Sequence, residues 1–305
     1  MKIALLANLK DSAPTWPGMA PNQWDQLLSW GTIQMVTMAL AKAGHHAIFI
    51  EGDQLFYNNL QAIKPDICFN LCQGHFGEAR RAQIPGMLEM LQVPYTSAHA
   101  FTMALDQTMT KRILVFHNLP TPPFQVLERV NEAQKLHLHF PLWVVPSKSN
   151  NQLPVEVETV ITGPDQLEQH LSQLFAQYQQ PALVEQYFEG QEVTIGIVGN
   201  VPAPRARRIP DDQTDESMFQ GLTLFPILEI AGPGRDESES PERFCYPASL
   251  APTLAERLRW LAAAAFRVIG CLDYAVIKFR LDAQADHKPY ISAVDPLPSI
   301  EPDTS

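Results

Sequence analysis

The stretch Asp66–Gln92, DICFNLCQGHFGEARRAQIPGMLEMLQ, decides the fold. Its first six residues are an apolar run of the kind that is buried on both faces of a parallel sheet. A glycine-bearing loop follows, and then a helical stretch. Downstream, VPYTS (93–97) is a short strand. Upstream lie two more apolar runs, KIALLANL (2–9) and HAIFI (46–50). Between them TIQMVTMALAKA (32–43) follows a helical period and stops at Gly44, a residue suited to a helix C-terminus. Buried-type strands alternating with helices predict a parallel α/β sheet, so residues 1–100 read as one α/β unit.

The chain has 305 residues, 46% of them hydrophobic, enough for more than one buried core. Its 22 Lys and Arg stand against 33 Asp and Glu, a net charge of -11. That balance argues against a general binder of nucleic acid or of anionic membranes, both of which need a basic surface. The opening apolar run meets Lys10 and Asp11 too soon for a signal peptide or a spanning helix. The chain therefore reads as soluble and cytoplasmic. Cys68, Cys72, Cys245 and Cys271 are scattered without a C-x-x-C pair, so they read as buried reduced thiols and not as zinc ligands.

Beyond residue 100 the pattern changes. Residues 108–118 form a helix that ends at LPTPP (119–123). FQVL (124–127), FPLWVVPS (140–147), VEVETVI (155–161) and PALVEQYF (181–188) read as strands around a helix at 164–179, a smaller α+β unit over 101–190. A third unit, 191–305, opens on the strand EVTIGIVGN (192–200) and has a long helix at 252–269. It closes on the hairpin DYAVIKFRL (273–281) and KPYISAVD (288–295). The charged segments 202–220 and 231–244 read as solvated loops. The histidines of HLH (137–139) alternate like a strand and read as solvent-facing. No dinucleotide fingerprint, Walker A loop, G-x-S-x-G elbow or H-E-x-x-H is present.

Several strings in this order resemble the D-alanine–D-alanine ligases of the ATP-grasp superfamily: residues 69–111, FPLWVVPS, LVEQYFEGQEVTIGIVGN (183–200), and GCLDYAVIKFRLD (270–282) with KPYISAVDPLPSI (288–300). The resemblance implies an ATP-grasp fold with an N-terminal Rossmann-like domain, a central subdomain and a C-terminal subdomain, with ATP between the last two. It implies ATP-dependent joining of a carboxylate to an amine through an acyl phosphate. That chemistry calls for cations on the phosphates and for magnesium held by hard oxygen ligands. It also implies pairing of subunits.

The site positions implied by the resemblance are mostly substituted. The two phosphate-binding lysines fall on Gln107 and Val145, while Lys111 is kept. The arginine that supports developing negative charge falls on Val276. The metal ligands fall on Lys278, Ala293 and Asp295. The glycine-rich loop becomes KSNNQLP (148–154), which has no glycine. Glu185 and Glu192 match positions near adenine and ribose, and Glu78 a position in the N-terminal loop. Each retained residue has a plainer reading: Lys111 as a surface lysine, Glu185 and Glu192 as solvated strand residues, and Glu78 as a helix cap.

Alternation puts Tyr274, Val276, Lys278 and Arg280 on one face of their strand, and Ile291, Ala293 and Asp295 on one face of the next. Lys278 is then expected to approach Asp295, an ammonium where the metal would stand. The expectation is a degenerate ligase, with magnesium binding lost and ATP binding weak. It would act as a structural or regulatory partner of an active ligase, in a homo- or hetero-oligomer. Two alternatives are a working carboxylate–amine ligase with an altered site, and a metal-independent nucleotide or peptide binding module.

Overall fold

The structure is a computed structural model and describes residues 1–17, 19, 24–25, 27–77, 79–96, 106–147, 160–201, 216–231 and 243–298. Glu78 and the loop 148–154 lie outside the described residues. The chain divides into two compact units, residues 1–102 with 297–305, and residues 103–296.

The first unit holds a three-stranded parallel sheet of β1 (Lys2–Ala7), β2 (His46–Glu51) and β3 (Ile67–Leu71), in the order β2-β1-β3. Among the described residues three helices connect and flank the strands: α1 (Trp30–Lys42), α2 (Phe56–Ile63) and α3 (Arg80–Met90). Ser29 caps α1 by accepting from the Thr32 amide at 3.2 Å. Leu6, Ile50, Phe56, Cys68 and Leu88 pack into one core. Of the expected strand at 93–97, the described residues 93–96 hold a single parallel bridge, between Cys68 and Tyr95. Cys68, Cys72 and Cys271 are buried, and burial pushes the Cys68 thiol up to about 12. Cys245, also expected inside, is exposed: it ends an edge strand, where only one side of the chain is covered.

The second unit carries two sheets. The smaller has four strands in the order β4-β7-β5-β6: β4 (Phe124–Leu127), β5 (Leu142–Pro146), β6 (Val160–Ile161) and β7 (Ala182–Gln186), with antiparallel neighbours. One face packs on α5 (Pro164–Tyr178) through Leu142, Val144, Val184, Leu167 and Leu171. Helix α4 (Gln107–Phe116) precedes this sheet. Asp106 caps it by accepting from the Met109 amide at 3.1 Å. His137 and His139 are exposed as expected, on irregular chain and not in a strand.

The larger sheet runs β11-β10-β8-β12-β13, with β9 (Leu222–Leu224) paired to β8. Its strands are β8 (Glu192–Gly199), β10 (Leu228–Ala231), β11 (Arg243–Cys245), β12 (Tyr274–Asp282) and β13 (Lys288–Asp295). Helix α6 (Pro252–Ile269) begins on a proline in its first turn and ends at Gly270, whose φ is +79°. It packs on β8, β12 and β13 and buries Leu258, Leu261 and the run Ala262–Phe266. No described helix is long and apolar enough to cross a membrane.

Candidate functional site: the open face of the large sheet

Along β12 the side chains alternate as the sequence predicts. Ala275, Ile277, Phe279 and Leu281 are buried, and Tyr274, Val276, Lys278 and Arg280 are half-buried on the other, open face. β13 departs from the expected alternation. Its register slips by one residue between Lys278 and Phe279, so Lys278 faces Ala293, Phe279 faces Ile291, and Ser292 is the extra residue. A bulge of this kind reverses the parity of everything beyond it. Ile291 therefore joins Val294 in the core, and does not share a face with Ala293 and Asp295 as simple alternation had it.

The open face is thus built in rows. Glu192, Arg280 and Tyr290 form one; Thr194, Lys278 and Ala293 the next; Gly196, Val276 and Asp295 the third. The Phe225 ring lies over Gly196, where a Cβ would come within 3.0 Å of its Cδ2. Asp295 stands opposite Val276, one diagonal step from Lys278. The expected Lys278–Asp295 ion pair is not among those of the described residues. The regular register on this side of the bulge sets Lys278 opposite an alanine and Asp295 opposite a valine.

Glu192 does have a partner. Arg280 donates from Nη2 to its Oε2 at 2.8 Å, and the guanidinium also lies 5.2 Å from the centre of the Tyr187 ring. Tyr187 stacks on Trp143 with the ring planes 6° apart. Phe188 stacks on Tyr290, centres 4.5 Å apart. The link between β7 and β8 is thereby pinned to the large sheet by one aromatic stack and one cation–π contact, and to β5 of the small sheet by the other stack. Gly190 in this link has φ +154° and is pressed on β12: an added Cβ would sit 1.7 Å from the Leu281 carbonyl oxygen.

Lys111 is no surface lysine. It is 2% exposed, and Glu185 is 8% exposed. The two form an ion pair. The Lys111 ammonium also donates to the Thr121 hydroxyl at 3.2 Å and to the Ser292 carbonyl at 3.1 Å. The Thr121 hydroxyl donates in turn to the Ile291 carbonyl at 3.0 Å. Three donors thus meet three acceptors, which satisfies an ammonium. The cluster ties together α4, β7 of the small sheet and the bulge in β13 of the large one. Removal from water pushes the Glu185 carboxyl above its ordinary range, although Lys111 and Arg280 pull the other way.

Of the positions read from sequence, Gln107, Lys111 and Ala293 meet, lining a cavity of about 10 Å³ with Thr110, Leu114, Ser292 and Val294. That is room for about one water molecule. The Gln107 amide donates to the Ser147 carbonyl, closing α4 onto the end of β5. Val145 is buried opposite Leu183 in the small sheet. Sequence reasoning missed Thr121 and Ser292, whose roles rest on a hydroxyl and a carbonyl with no compositional mark. It also missed the Arg280 contact, although alternation had put Arg280 on the open face.

Comparison with known proteins gives this geometry a context. Residues 113–302 match the family described as D-ala D-ala ligase C-terminus. An uncharacterized protein of Sinorhizobium fredii is 28% identical over 303 residues, covering 92% of this chain and 81% of that protein. A D-alanine–D-alanine ligase of Bordetella petrii is 28% identical over 276 residues, covering 87% of this chain and 76% of the ligase. The crystal structure of the D-alanine–D-alanine ligase from Bacillus anthracis complexed with ATP aligns over 99% of this chain and 88% of its own, with a TM-score of 0.69 and 20% identity. At that identity the likeness establishes a shared ATP-grasp fold. Together with the family match over most of the chain, it places the protein: the chain belongs to the D-alanine–D-alanine ligase family of ATP-grasp proteins.

Proposed function

We propose that this chain is a catalytically impaired member of its family that serves as a structural or regulatory partner of an active ligase. The observation that carries the reading is the open face of the large sheet, where Val276, Lys278 and Ala293 surround Asp295. Magnesium takes hard oxygen ligands, and a polyphosphate needs its charge neutralised during transfer. Among the described residues no three His, Cys, Asp or Glu side chains are placed to hold a metal ion. Asp295 with an ammonium on the same face, and with Glu192 engaged by Arg280, does not fit magnesium, so no reaction step runs through the metal.

The Lys111–Glu185 pair belongs to the same reading. An ammonium whose donors are all engaged inside the protein, and a carboxylate engaged by that ammonium, act as a strut behind the face. Nucleotide contact then falls to Glu192 and the β7–β8 link, and is weak. The division into 1–100, 101–190 and 191–305, a cytoplasmic location, and assembly as a homo- or hetero-oligomer complete the proposal.

The test is phosphate release from ATP with magnesium or manganese and pools of amino acids and dipeptides, run beside an active relative. Release at the level of the protein-free blank is expected. Release that depends on the added amino acid overturns the reading. Purification from the native host is expected to bring down an intact ligase.

A further inference from the structure

We propose that the second unit carries a binding site for a small organic carboxylate with an apolar body, in a cavity between the C-terminal end of α4, the first turns of α6 and the start of β13. The site shares no lining residue with the open face of the large sheet.

The cavity holds about 480 Å³ and opens to solvent. Small-molecule sites run from about 300 to about 1,000 Å³. Its shape begins with how α4 stops. Asn118 takes the left-handed conformation, φ +55°, and the Leu119 amide reaches back to the Leu114 carbonyl at 2.9 Å. That turn leaves Val115, Leu119 and Pro120 as one apolar wall, with Pro289 as another. Pro289 stands opposite Leu281 in the β12–β13 ladder, which puts it on the side of the sheet that α6 covers. The Asn118 side chain is exposed and has no hydrogen bond among the described residues, and its amide offers two donors.

The charged residues of the lining are cations. Arg257 enters from the second turn of α6, and Lys288 is the first residue of β13. Arg257 is half-buried, and removal from water holds its guanidinium below its ordinary range. The guanidinium lies 5.3 Å from the centre of the Trp260 ring, and the Lys288 ammonium 5.2 Å from that of Tyr290. A ring face orients a cation without cancelling its charge. Alternation places Lys288 on the Tyr290 side of the ladder, so Arg257 is the anchor and Lys288 adds charge at the rim. The carboxylates nearest to these cations in sequence are Glu256, Asp282 and Asp286, and none of them lines the cavity. Asp282, across the ladder from Lys288, accepts from the Gln284 amide at 2.9 Å. A guanidinium meets a carboxylate through two parallel N–H donors, and the apolar walls take the rest of the molecule.

The lining is also tied to β13. The Pro120 carbonyl accepts from the Ile291 amide at 2.8 Å, and the Thr121 hydroxyl donates to the Ile291 carbonyl at 3.0 Å. A bound carboxylate therefore braces the segment that holds the bulge, and stabilises the folded chain by mass action.

The probe is octanoate, titrated calorimetrically into the full chain at low salt. Binding with a dissociation constant of about 1 mM or tighter is expected. Arg257→Met is expected to weaken it by about tenfold or more, the usual consequence of losing a hydrogen bond to a charged group. Val115→Glu, at an exposed position, sets a like charge in the lining and weakens it without disturbing a buried group. Met90→Glu, on α3 in the other unit, leaves it unchanged. Acetate lacks the apolar body and 1-octanol lacks the charge, and each binds more weakly than octanoate. Thermal melts of all variants report folding, and octanoate raises the melting temperature of the wild type.

Absence of octanoate binding at about 10 mM, a concentration well above the expected dissociation constant, overturns the proposal. So does equal binding by a folded Arg257→Met or by Val115→Glu, or equal binding of acetate or 1-octanol by the wild type. The outcome is independent of phosphate release from ATP, so this site and the functional reading above stand or fall separately.

Discussion

Lys111→Met will lower the unfolding free energy by about 3–5 kcal/mol, the usual cost of breaking a buried ion pair from one side. The loss is large because Glu185 stays behind, buried and without its counter-charge. Thr121 and the Ser292 carbonyl lose a donor in the same step. Lys111→Met combined with Glu185→Leu will cost less than either half implies, because the combined change also removes the need to desolvate the carboxylate. Denaturant unfolding of the four proteins gives the coupling directly, and purely additive losses would refute the strut. The single variant also has a pH signature. Burial already raises the Glu185 carboxyl, and removing Lys111 raises it further. The folded variant then binds its proton more tightly than the unfolded chain does. Its stability is greatest below the ordinary carboxyl range, about pH 4, and falls as pH rises through the raised value.

Gly190→Ala will be the most damaging glycine substitution in the second unit. The new Cβ would meet the Leu281 oxygen at 1.7 Å, the Leu281 carbonyl carbon at 2.9 Å and the Ala283 nitrogen at 3.1 Å, all of them backbone. No rotamer relieves a clash with backbone, so the link must lift off β12. Two hydrogen bonds of 2.9 Å go with it, from the Leu281 amide to the Gln191 carbonyl and from the Ala283 amide to the Glu189 carbonyl. Strain of this kind costs about 1–3 kcal/mol, and the lost hydrogen bonds add about 1 kcal/mol each. The Phe188–Tyr290 stack and the Tyr187–Arg280 contact flank the link and will loosen. Gly86→Ala is the contrasting case. Gly86 lies inside α3 with nothing within 4 Å of an added Cβ, so alanine there will stabilise by about 0.5–1 kcal/mol. Unfolding curves showing the two changes to be equal would contradict this picture of the link.

Much of this architecture was legible because it is periodic. Buried-type runs at 2–7, 46–51 and 67–71 mark the parallel strands, and a proline at the start of 252–269 and a glycine after it mark the ends of the long helix. The alternation of β12 fixed which of its side chains share the open face. The site was legible only in part, for physical reasons. A single extra residue at Ser292 reverses the parity of β13, and no residue type announces a bulge. Lys111 reads as a surface residue because its neighbours in sequence cannot show that Glu185 and Ser292 come from distant strands to cover it. Glu192 reads as solvated until β8 and β12 pair and bring Arg280 beside it. Side chains that depend on long-range partners are the ones a linear reading places least well.

The measurement that tests the central claim most directly is calorimetry of ATP binding to the full chain, with magnesium and with EDTA. The face around Lys278, Ala293 and Asp295 offers magnesium too little negative charge, so no gain in ATP affinity is expected when the metal is added. Micromolar ATP binding that appears with magnesium and vanishes with EDTA would contradict the claim.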